Sequence, residues 1–117
     1  MSDGLTEREQ IRAAVFARAA GRCECCRVRE PTEWHHLEQG GARRSMESVG
    51  NSCALCWQCH RAYHAGDLAV MAQLLDSLTV YSPGTQEGQR TLLRRIEKAR
   101  MVRAQTAGGS RGTEGER

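Results

Sequence analysis

Aromatic residues are scarce in this chain: one Phe, two Trp and two Tyr among 117 residues. A chain of this length suits one small domain, which buries only part of the surface it exposes when unfolded. So thin an aromatic core leaves a deficit in stabilisation that a metal staple would fill. No apolar run approaches the ~20 residues that a membrane span requires, so no membrane partner is expected. Met1-Ser2-Asp3-Gly4 lacks the basic-then-apolar form of a signal peptide. The expected location is therefore the cytoplasm, where disulfides are rare and paired cysteines are more often metal ligands. Lysine is reduced to Lys98, so positive charge rests on arginine. The net charge of +3 says little by itself. Its distribution says more: Arg90, Arg94, Arg95, Lys98, Arg100 and Arg103 face the single acid Glu97 over one stretch.

What the chain does have is concentrated. All six cysteines and all four histidines fall between Cys23 and His64. Cys23-x2-Cys26 and Cys56-x2-Cys59 form two knuckles with 29 residues between them, and four thiolates satisfy the closed tetrahedral preference of structural zinc. Cys25 and Cys53 are potential competitors. Two intervening residues favour Cys23 with Cys26, and Ser52-Cys53-Ala54-Leu55 reads as a small apolar core string. Free buried thiols or a redox pair would not explain the histidines.

The elements around this stretch can be read in order. Thr6 and Glu9 form a T-x-x-E capping box, and Ile11, Ala14, Val15 and Ala19 continue at helical spacing to a stop at Gly21. That predicts a helix over 7–20, with Arg8, Arg12 and Arg18 turned outward. Glu33 to Leu37 reads as a short strand with His35 and His36 on opposite faces. Residues 39–48 read as a loop around Gly40-Gly41 and Arg43-Arg44. Val49 to Leu55 reads as a second strand interrupted at Gly50-Asn51. Trp57 to Ala65 reads as a helix that puts His60 and His64 on one face. Asp67 caps a further helix carrying Leu68, Met71, Leu75 and Leu78. After a turn at Tyr81-Ser82-Pro83-Gly84, a last helix runs over 86–104 with Leu92, Ile96 and Ala99 on its apolar side.

Together these residues resemble the HNH endonucleases, closest to the small zinc-knuckle members common in phages and their hosts. The resemblance rests on Gly21-Arg22-Cys23-Glu24-x-Cys26, Trp34-His35-His36, Gly40-Gly41, Asn51 and Leu55-Cys56-x2-Cys59-His60-x3-His64. It covers roughly 21–66. It departs at Gly50, where an acidic or polar residue is common, and at Ser52, where a Leu usually follows the Asn.

The resemblance implies an α+β fold, small and mainly helical: a ββα-metal (His-Me finger) core stapled by zinc on Cys23, Cys26, Cys56 and Cys59, with flanking N- and C-terminal helices. On that division, residues 1–20 are a helix packing on the core, 21–66 the nuclease core, 67–106 basic C-terminal helices and 107–117 a disordered tail. It also implies roles. His36 is the general base, Asn51 a structural residue that helps orient it, and His35 and His60 ligands of a catalytic divalent ion, Mg2+ or a transition metal. His64 is a further ligand. Arg43 and Arg44 in the loop, and Arg94 and Arg95 on the last helix, are candidate contacts to DNA. A terminase or other DNA-processing protein is a conceivable partner, and the cytoplasm is that of a bacterial cell or phage-infected host. The competing expectation is a non-catalytic zinc module that binds DNA or a protein. Such a module has no use for paired imidazoles beside His60.

Overall fold

A computed structural model describes residues 4–37 and 48–114, with side chains through residue 106. The chain enters through the capping box. Thr6 Oγ1 accepts from the Glu9 N–H at 3.1 Å, and the Thr6 N–H donates to Glu9 Oε1 at 2.8 Å. This starts α1, Glu7–Ala19, which ends where Ala20 turns left-handed at φ 55°. Val15 and Ala19 are its buried residues.

Strands β1 (Glu33–His36) and β2 (Ser52–Leu55) pair antiparallel, with Trp34 opposite Ala54, His35 opposite Cys53 and His36 opposite Ser52. Residues opposite one another share a face of the sheet. One face therefore carries Trp34 and Ala54 into a small cluster with Val15 and Ala19 of α1. The other carries Cys53 and Leu55 into the main core. With α1 on one side and the later helices on the other, all four β2 residues are buried. The interruption expected at Gly50-Asn51 is a 3-10 turn, Val49–Asn51, that leads directly into β2.

Among the described residues, helices α2 (Trp57–His64), α3 (Leu68–Tyr81) and α4 (Gln86–Glu114) complete a small, mainly helical α+β fold of four helices on a two-stranded sheet. Asp67 caps α3 by accepting from the Val70 N–H at 3.2 Å. Met71, Leu74 and Leu78 of α3 meet Leu92 and Ile96 of α4 in the core. Leu74 is thus buried where the periodicity pointed to Leu75, which packs at the margin with Leu68. α4 also runs past the expected end at Ala104, through 107–114 of the stretch assigned to a disordered tail. Once a helix is nucleated, each further residue adds one hydrogen bond for one residue fixed. Among the described residues no helix is long and apolar enough to cross a membrane.

One expectation for α1 is overturned. Arg18 does not face outward. Its side chain is 10% exposed and its Nε lies 2.7 Å from a Glu24 carboxylate that is fully buried. Nη2 also donates to Glu24 at 2.8 Å, and the guanidinium reaches the carbonyls of Val49 (2.7 Å) and Ser52 (2.8 Å). Glu24 in turn accepts from the Ala54 N–H at 2.9 Å and from Ser82 Oγ at 2.7 Å. A carboxylate satisfied by so many donors ties α1, the first knuckle, β2 and the α3–α4 turn together. Burying a charge is tolerable when every partner is present, which is why the arginine turns in.

Gly50 and Gly88 explain how α4 comes so close to the 3-10 turn. A Cβ at Gly50 would sit 2.8 Å from the Gly84 carbonyl oxygen. One at Gly88 would meet Leu37 Cδ1 at 2.4 Å and the Gly50 carbonyl oxygen at 2.9 Å. The residue at 50 that departs from the HNH pattern is therefore one that this packing requires.

Candidate metal centres

Cys23, Cys26, Cys56 and Cys59 converge, with their sulfur atoms all within 4.8 Å of one another. The Cys26 and Cys56 sulfurs are 4.0 Å apart. Sulfurs bound at about 2.3 Å to one tetrahedral ion lie somewhat under 4 Å apart, so this cluster could hold a metal ion. Backbone amides already point at it: the Cys25 N–H donates to Cys23 Sγ at 3.3 Å and the Cys59 N–H to Cys56 Sγ at 3.4 Å. Cys56 is at once a member of the cluster and the N-cap of α2. Burial pushes the Cys23 thiol up. Burial also pushes on Cys26, yet the backbone N–H groups of Arg29 and Val28 bring it down to about 6. Arg29 Nη1 reaches Cys26 Sγ at 3.6 Å and Cys56 Sγ at 3.9 Å, a cation beside a group of thiolates.

The two competing cysteines stay outside. Cys25 is pushed up to about 12 by burial, and its thiol points to the Val70 carbonyl at 3.7 Å. Cys53 is in the main core and burial raises it further.

A second cluster forms beside the first, on the remainder of α2 and the facing strand. Ring nitrogens of His35, His60 and His64 lie within 4.8 Å of one another. His60 and His64 are one helical turn apart, and their Nε2 atoms are separated by 3.1 Å. Two imidazoles bound at about 2.0–2.1 Å to a common ion present nitrogens roughly 3.3 Å apart, so the spacing suits a shared ion as well as a shared proton. His60 Nδ1 lies 3.3 Å from Glu33 Oε1. A carboxylate at that distance can accept from an Nδ1–H, and in that tautomer the Nε2 lone pair is free for an ion.

His35 is 2% exposed, and its Nε2 is buried without a hydrogen-bond partner. Burial first, then the neighbouring charges of His60 and His64, hold His35 well below the ordinary imidazole range, so it stays neutral. Its ring packs edge-on against Tyr63 at 4.3 Å. An orphaned, neutral, buried imidazole nitrogen facing two more imidazoles is a donor set that fits a cation. Burial lowers His64 as well, aided by the charges of His60 and Arg95. The exposure rises from His35, buried, through His60 to His64, exposed, so the cluster opens to solvent on one side.

His36 is buried on the opposite face of β1 from His35. Its ring packs against Trp34 with centroids 4.4 Å apart and planes tilted by 46°, and the Arg8 guanidinium lies over the Trp34 ring, 4.9 Å from its centre. Asn51 is buried at the end of the 3-10 turn, and its carbonyl accepts from the Leu37 N–H at 3.0 Å, joining the turn to the end of β1. Of the candidate DNA contacts, Arg94 is exposed on α4 and donates to Thr91 Oγ1 at 3.3 Å. Arg95 is near enough to Tyr63, His35 and His64 for its charge to act on all three. Arg43 and Arg44 lie outside the described residues.

Sequence reasoning missed Glu33, Tyr63 and Trp34. The signal for Glu33 was present: it is two residues before His35 on a strand, so the two share a face. Trp34 and His36 share the other face for the same reason. Compared with known proteins, the chain stands apart: no family model, no curated protein and no solved structure matches it.

Proposed function

We propose that this chain is a metal-dependent endonuclease of the HNH type, cutting DNA phosphodiester bonds from a ββα-metal core. The observation that carries the reading is the convergence of three imidazoles, one with an orphaned buried nitrogen, on a side that opens to solvent. In this reading zinc on Cys23, Cys26, Cys56 and Cys59 is the staple, and His35, His60 and His64 hold a second divalent ion. An all-imidazole set favours a transition ion over Mg2+, which prefers oxygen ligands. When bound, that ion supplies Lewis acidity at the phosphate and relief of charge on the leaving oxygen.

The chain's own residues do the rest. His36 accepts a proton from the attacking water, a task an imidazole performs near neutral pH. Trp34 packs against that ring and keeps it from turning. Asn51, tied through its carbonyl to the backbone after His36, sets the spacing between the turn and β1. Glu33 fixes the tautomer of His60. Nicking of supercoiled plasmid by zinc-replete protein, with and without added Mn2+, Ni2+ or Mg2+, tests the proposal. Nicking that requires the added ion supports it. Tight DNA binding with no cleavage under any ion would leave the non-catalytic zinc module instead.

A further inference from the structure

α4 carries a groove of about 740 Å³, and Arg95 in its lining also acts by its charge on the imidazole cluster. Arg95, Lys98 and Arg103 are its basic lining, and Met71, Ala99 and Val102 its apolar lining. The α4 members recur every three or four residues, so they form one face of the helix. No acidic side chain is among the lining residues. Arg95 and Arg103 are eight positions apart, about 12 Å along a helix axis. Successive phosphates along one strand of duplex DNA are roughly 7 Å apart, so this face spans two or three of them. Arg95 belongs to both places: it lines the groove, and its charge reaches Tyr63, His35 and His64.

We propose that this face of α4 is the track for one DNA strand running into the imidazole site. Arg95 holds the phosphate nearest the bond to be cut, and Lys98 and Arg103 hold those that follow. Met71, Ala99 and Val102 receive the carbon edges of the deoxyriboses between them. Basic and apolar lining together select this occupant: a free phosphate has no use for the apolar residues, and an apolar peptide has no use for three cations on one helix face. The sequence showed a basic helix; the structure sorts its charges. Arg90 and Arg100 are exposed on α4 but outside the groove.

The inference takes the direction of the track from the nuclease reading, but binding is measured without cleavage. Zinc-replete protein in a His36→Ala background, with no added divalent ion, is titrated onto a labelled DNA duplex across a salt series. Arg95→Gln alone, and the pair Lys98→Gln with Arg103→Gln, are compared with the charge-matched pair Arg90→Gln with Arg100→Gln. Combining all three groove changes should make the slope of log Kd against log salt shallower by about 2 to 3 units and weaken binding at least about tenfold. The groove pair should cost several times more than the charge-matched pair. Equal losses from both pairs would overturn the track. So would a Val102→Glu variant that converts a dimer to a monomer and leaves DNA binding unchanged, because the groove would then belong to a second copy. A wild-type protein that binds along this face but leaves plasmid intact would sink the nuclease reading and not the track.

Discussion

The thiol cluster and the imidazole cluster share α2, and the difference between them separates a closed site from an open one. Cys56 caps the helix and Cys59 sits in its first turn; His60 follows directly and His64 one turn later. The four-sulfur group is closed on itself, with three of its members buried and backbone amides directed at it. The three-nitrogen group is closed only at His35 and opens to solvent through His64. A site with four protein ligands has nothing left to offer a substrate, whereas three ligands and an open side leave room for one. One helix anchored by sulfur thus presents nitrogen in a fixed place.

The comparison breaks most visibly at the sulfur side. Cys56→Ser should abolish cooperative thermal unfolding followed by circular dichroism, because a four-cysteine zinc site contributes about 10–16 kcal/mol of apparent binding energy. That matches or exceeds the ~5–15 kcal/mol by which a whole domain is stable. His60→Ala, one position past the knuckle, should leave the melt close to wild type. If both variants melt alike, the division of labour between the clusters is wrong.

Glu24 comes next in size, since it joins the first knuckle to β2 and α1. Glu24→Gln leaves the Arg18 guanidinium buried beside a neutral partner and should cost about 3–5 kcal/mol in denaturant unfolding. A loss under 1 kcal/mol would mean that Arg18 escapes to solvent at little expense. On the nitrogen side, His36→Ala should lower the nicking rate by about 10²–10⁴-fold with zinc content unchanged and cooperative folding retained. Cleavage at the wild-type rate would remove His36 from the role of base. Glu33→Gln is the mildest. It should weaken binding of the second ion by about 10–100-fold and leave the thiol site untouched, as isothermal titration with Ni2+ would read.

How much of this was legible in the sequence depended on whether the cause was local. The capping box at Thr6 and Glu9, the knuckles and the His60–His64 face all follow from spacing within a few residues, and the structure brings these side chains together as spaced. The Arg18–Glu24 pair did not show. A charged residue on an amphipathic helix gives no sign that a carboxylate six residues on is already buried by Ala54 and Ser82. Gly50 and Gly88 were likewise opaque, because the reason for each is another part of the backbone far along the chain. Glu33 and Trp34 were within reach, since strand alternation ties them to His35 and His36. The length of α4 beyond Ala104 had no periodic signal to announce it, and the loop with Arg43 and Arg44 lies outside the described residues.

The account rests on two cations of different chemistry that each take ligands from one short helix, and Co2+ titration of the metal-stripped, reduced chain tests that most directly. The predicted result is two ions per chain. The first should bring the intense sulfur-to-cobalt charge-transfer absorption of a four-thiolate site. The second should bring none, and should vanish in a His35→Ala, His60→Ala variant that keeps the first. A single ion per chain, or a second one indifferent to those histidines, would contradict the account.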